Sequence, residues 1–138
     1  MKSLLKAVYS RLTGSSVAQL APGGIHWGLA PANASMPYIV LRAVPAIAPE
    51  VDTGVEAVEQ RGVRVSAFAT GMATAASLLE AVEQLFVGQP LSLDTGRCMA
   101  AEKSADDLQL DPDRAEDGEE VWQGILDLAF MVQRQPGQ

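Results

Sequence analysis

The chain has 138 residues, 48% of them hydrophobic and 20% charged, a length and balance that suit one domain (residues 1–138) with an aliphatic core. At a net charge of −7, nothing in it resembles the basic footprint that nucleic-acid binding needs. One cysteine and one histidine exclude a disulfide framework and a Cys/His metal cluster.

Met1 to Leu12 is too short and too polar for a signal peptide, and no run approaches the roughly 18 apolar residues of a membrane span. The expectation is a soluble chain made in a reducing cytoplasm. Lys2 to Leu12 reads as a helix, with Leu4, Leu5, Val8 and Leu12 as its stripe. A short helical turn around Val17 to Leu20 fits before Pro22-Gly23-Gly24 breaks the chain. Ile25 to Leu29 reads as a short strand. Pro37 opens a clearer one, Tyr38 to Val44, apolar on both faces until Arg42 and therefore central in a sheet.

Residues 45–60 hold two prolines and a glycine, which rule out one regular element. This stretch reads as an arm joining two antiparallel strands. From Arg61 to Ala69 the chain alternates, with Arg61, Val63, Val65, Ala67 and Ala69 on one side and Gly62, Arg64, Ser66 and Phe68 on the other. Beyond Thr70-Gly71 the period switches to 3.6, and Ala75, Leu78, Leu79, Val82, Leu85 and Phe86 form the apolar stripe of an amphipathic helix. Thr74 is the expected cap and Gly88 the left-handed stop. Such a helix must lie on the apolar face of a sheet.

Leu91-Ser92-Leu93 reads as a brief strand or connector, and Arg97–Lys103 with Asp107–Leu110 as a hairpin pair. Between Asp106 and Glu120 stand eight acids and one base, so this segment alone accounts for the whole −7. It reads as an acidic loop held open by self-repulsion, or as a docking surface for a basic partner. Glu120 to Arg134 fits two periods. As a strand, Trp122, Gly124, Leu126, Leu128, Phe130 and Val132 line one face; as a helix, Val121, Trp122, Ile125, Leu126 and Ala129 form a stripe. The unbroken face, the aromatic and β-branched content and Gly124 favour the strand.

Catalytic constellations are missing. His26 is the one imidazole available as a base, and there is no Gly-x-Ser-x-Gly elbow, P-loop or dinucleotide fingerprint. Asp111-Pro112-Asp113-Arg114-Ala115 starts like a calcium loop, but Ala115 replaces a ligand and Glu116 stands where glycine is required. No cofactor or metal is expected, and the chain does not read as an enzyme.

This succession resembles the bacteriophage tail-completion (tail-terminator, or head–tail joining) family. The resemblance rests on the N-terminal helix, Ile25-His26-Trp27, Ala30-Pro31, and Met36-Pro37-Tyr38-Ile39-Val40-Leu41. It continues through Val63 to Ala69, the helix after Gly71 ending at Leu85-Phe86, and the strand Trp122 to Arg134. It implies an α+β fold: a largely antiparallel sheet with an N-terminal helix and a central amphipathic helix packed on one face. It also implies a hexameric ring at the head-proximal end of a virion tail, assembled in the host bacterial cytoplasm. Such a ring ends tail-tube growth and meets the tail tube protein and a head-completion or connector protein, while DNA passes through without specific binding. No membrane is involved. The family supplies no catalytic residues. Ring contacts are expected from Glu50, Asp52, Glu56 and Glu59 of the arm, Arg61 and Arg64 of the next strand, and Asp111, Asp113, Glu116 and Asp117 of the acidic loop. Alternatives from other classes are another neck component, a small adaptor docking through the acidic loop, and an enzyme using paired carboxylates.

Overall fold

The computed structural model describes residues 2–44, 58–93, 96–111 and 120–134. In chain order it comprises α1 (Lys2–Thr13), α2 (Val17–Leu20), β1 (Ile25–Trp27), β2 (Tyr38–Val44), β3 (Val58–Ala69), α3 (Met72–Phe86), β4 (Leu91–Leu93), β5 (Gly96–Leu110) and β6 (Trp122–Arg134). The strands form one sheet in the order β1-β2-β3-β6-β5-β4. Among the described strands, β1 and β2 run parallel and the other neighbours antiparallel. The fold is α+β with a largely antiparallel sheet.

Alternation explains which face the helices cover. Val63, Val65 and Ala67 of β3 are fully buried, as are Ile39 and Leu41 of β2 and Leu128 and Phe130 of β6. They share one core with Leu4, Val8 and Leu12 of α1 and Leu78, Leu79, Val82 and Phe86 of α3. The stripe expected on the central helix is therefore the stripe it buries. Phe86 meets Phe130 edge-on, with ring centroids 5.9 Å apart. α1 reaches both sheet edges. Tyr9 lies 5.9 Å from the Trp27 ring of β1, and Arg11 Nη2 donates to the Pro90 carbonyl, 2.9 Å, just ahead of β4. A sheet that one helix can touch at both edges must curl around it, as the right-handed twist of strands allows.

Arg11 also donates to the Leu85 carbonyl at 3.2 Å and sits 5.7 Å over the Phe86 ring. A cation there meets the negative end of the α3 dipole and its unpaired carbonyls. Gly88 follows with φ +74, the left-handed stop read from the sequence.

Four details differ from the sequence reading. α3 begins at Met72, capped by Gly71 in extended conformation, and not by Thr74, which falls inside the first turn. The Gly71 carbonyl accepts the first helical hydrogen bond from Ala75, 3.2 Å, so no side-chain cap is used. β1 stops at Trp27, and β3 starts at Val58, three residues before Arg61, because its pairing with β6 extends to Gln133. Gly96 to Leu110 is one continuous strand rather than a hairpin, since it pairs along its whole length with β6 through two irregularities, at Cys98/Ala100 and Lys103/Ala105. Asp106 and Asp107 consequently belong to β5, and not to the acidic loop. The ambiguous last element is a strand, and β2 lies between β1 and β3 as its apolar faces require. β2 and β3 are antiparallel, so the arm does join two antiparallel strands; residues 45–57 themselves lie outside the described residues.

Candidate interaction surfaces

Of the ten residues expected at ring contacts, Glu59, Arg61, Arg64 and Asp111 lie among the described residues. Glu50, Asp52, Glu56, Asp113, Glu116 and Asp117 lie outside the described residues. Glu59 is in β3 opposite Val132, and Arg61 is half-buried opposite Phe130. Asp111 follows β5 at the far end of the sheet, its N–H donating to the Val121 carbonyl at 2.7 Å.

Arg64 lies on the sheet face away from the helices and is engaged within the chain. Its Nε and Nη2 donate to the two carboxylate oxygens of Asp127, 2.8 and 3.0 Å, directly across the β3–β6 ladder. The Asp127 hydrogen bonds hold the guanidinium even more firmly protonated than usual. A bidentate pair is well oriented, yet Arg64 is 42% exposed, so water screens most of the attraction. A double-mutant cycle with Arg64→Ala and Asp127→Ala should give a coupling of about 0.5–1 kcal/mol in urea unfolding. A coupling near zero would make the pair ornamental. Further along this face Tyr38 stacks on Phe68, with centroids 4.9 Å apart.

His26 has a structural role. Its Nε2 lies 2.8 Å from the Gly23 carbonyl, and its ring meets Tyr38 edge-on at 6.2 Å. Among the described residues no group of three or more His, Cys, Asp or Glu side chains is placed to hold a metal ion. No helix among them is long and apolar enough to cross a membrane.

Two surfaces that the sequence reading missed stand out. The first is an apolar corner beside β1. Trp27 is 40% exposed, Tyr9 37%, and Leu29 79%, an unusual exposure for a leucine on an ordered turn. That turn is pinned. The Gly28 N–H donates to Leu41, its carbonyl accepts Arg42 Nε at 3.0 Å, and the Leu29 N–H returns to Trp27 at 2.7 Å. Gly28 has φ +73, a conformation that only glycine adopts freely. Arg42, bonded to the Gly28 carbonyl, is the cation at the base of this corner.

The second surface is an open groove of about 420 Å³ between α3 and β5. Leu79, Leu108 and Leu126 form its floor, and Glu80, Asp106 and Asp107 stand around it. Lys103 bridges Glu83 and Asp106 at 3.1 and 3.0 Å, tying helix to strand. The hydrogen bond to Asp106, then that to Glu83, keeps its ammonium charged to higher pH than usual. β4 covers β5 only as far as Cys98, so from Glu102 to Leu110 the strand edge has no neighbouring strand among the described residues. Charged side chains and the register shift at Lys103/Ala105 guard that edge against indiscriminate pairing.

Comparison with known proteins accords with this architecture. A solved chain from the "Virion of native gene transfer agent (GTA) particle" superposes with a TM-score of 0.78 at 19% identity, covering 96% of each chain. A second solved chain matches with a TM-score of 0.59 at 15% identity, over 98% of this chain and 94% of that one. At these identities the likeness is one of fold. No curated protein matches the chain in sequence. The family described as "Tail completion protein gp17" matches residues 6–133, nearly the whole sheet and its helices. The chain belongs to the tail completion protein gp17 family and is a structural protein of phage-type tails.

Proposed function

We propose that this protein forms a closed ring, of six copies, on the head-proximal end of a tail tube. There it ends tube growth and presents the surface that joins the head. The family match across residues 6–133 carries the reading. The surface supports it. A ring is built from heterologous contacts, one patch of each subunit meeting a different patch of the next. This chain is polarised in that sense, with an apolar corner beside Arg42 at β1 and an acidic groove at β5. The tail tube protein is the partner on one side and a head connector on the other. Glu50, Asp52, Glu56, Asp111, Asp113, Glu116 and Asp117 would add negative charge at ring contacts or in the lumen, where it repels passing DNA and prevents sticking.

Tube assembly in vitro tests this. Tail tube protein polymerised with the purified chain should give shorter tubes, each capped at one end by a six-fold ring visible in class averages. Neutralising Asp113, Glu116 and Asp117 to Asn or Gln should leave capping intact but let DNA adhere to the lumen. Tubes of unchanged length with bare ends would contradict the ring reading.

A further inference from the structure

The two surfaces described above differ in shape and charge in a way that makes each a receptor for the other. We infer that the Leu29 corner of one copy inserts into the α3–β5 groove of the next, a contact that rests on the ring reading and specifies its interface. The corner projects. Leu29 is 79% exposed on a turn fixed by three hydrogen bonds through Gly28 and Leu29, with Trp27 and Tyr9 beside it. A projecting apolar side chain on a fixed turn loses little conformational entropy on docking, the condition that lets a small contact bind. The groove is concave and floored by Leu79, Leu108 and Leu126, and its volume of about 420 Å³ accommodates such a side chain together with part of an indole.

Charge fixes the partner. Arg42 holds the Gly28 carbonyl at the base of the corner and places its positive charge there. Glu80, Glu83, Asp106 and Asp107 ring the groove, and Lys103, shared by Glu83 and Asp106, offsets one of their four charges. A copy docking corner to groove therefore meets opposite charge, whereas corner-to-corner and groove-to-groove pairings meet like charge. Complementarity of this kind suppresses the wrong pairing and sets register. It also makes the contact heterologous, so it continues from copy to copy until rotation closes it. The occupant is a second copy of this chain.

Two exposed substitutions block one face each. Leu29→Asp places a carboxylate on the corner, and Ala76→Glu fills the groove wall from α3. Both positions face solvent, so Tm should match wild type; Leu29→Ser and Glu80→Lys serve as substitutes if either variant misfolds. Wild-type assembly, in solution or on tube ends, is the reference. Each variant alone should stay at the 14.6 kDa monomer mass in native mass spectrometry and leave tubes uncapped. Mixed in equal amounts they should yield a species of twice that mass and nothing larger, because one good corner meets one good groove and both outer faces are blocked. If either variant alone assembles or caps tubes as wild type does, the contact lies elsewhere and the ring reading stands. If wild type itself neither associates nor caps tubes, the ring reading falls and this contact with it.

Discussion

Truncating Phe86 to alanine is expected to lower the unfolding free energy by about 3–5 kcal/mol, read from the shift in urea midpoint at unchanged m-value. Phe86 is fully buried at the end of α3, where three separate parts of the chain converge. Its ring meets Phe130 of β6 edge-on, and the Arg11 guanidinium of α1 lies over it. Removing the ring takes away the apolar area and leaves a cavity between helix and sheet that neither rigid neighbour can fill. It also deprives Arg11 of the surface it covers, so α1 loosens with α3. Against a total stability of about 5–15 kcal/mol for a domain this size, such a loss brings the protein close to unfolding at 37 °C. Phe86→Leu keeps most of the volume and should cost much less. A loss below about 1 kcal/mol for the alanine variant would mean that the helix does not seal the core as described.

Gly23→Ala should be nearly as damaging, at about 3 kcal/mol, though it adds a single methyl group. A Cβ at residue 23 would stand 1.6 Å from the Ser35 carbonyl oxygen and 2.9 Å from that of Pro37. Both are backbone atoms, so no side-chain rotation relieves the clash. The Gly23 N–H also donates to the Pro37 carbonyl at 3.0 Å, and its own carbonyl holds His26. Making room therefore displaces the segment leading into β2, and with it the β1–β2 pairing. Gly14→Ala is the matched control, because its Cβ would meet only the Ser10 carbonyl at 3.2 Å, a contact that a few tenths of an ångström relieve. Equal losses for the two variants, measured as Tm, would contradict the close approach at Gly23.

Much of this architecture could be read in the chain, and the reasons differ by element. β3 and α3 were legible because their apolar periods are strict and the switch between them falls on Thr70-Gly71. β2 was legible from Pro37 to Pro45 for its β-branched content. β5 was not. Ala100, Ala101, Glu102, Lys103, Ser104, Ala105, Asp106 and Asp107 have poor strand propensity, and two irregularities break their alternation. This segment is a strand because β6 pairs with it, a contact across sequence that local pattern cannot report. The Arg64–Asp127 pair was hidden for the same reason, its partners standing 63 positions apart. Conversely, Trp27 and Leu29 read as ordinary residues of a short strand, and only the end of β1 at Trp27 places them on an exposed corner.

If this chain caps the head-proximal end of a tail as a ring, intact particles should carry that ring. Cryo-electron microscopy of whole particles from producing cells, with density assigned to this chain, tests it most directly. One ring of six copies is expected at the junction of tail and head, with each Leu29 corner seated against a neighbouring α3–β5 groove. Copies distributed along the tube, or found only at the distal tip, would contradict it.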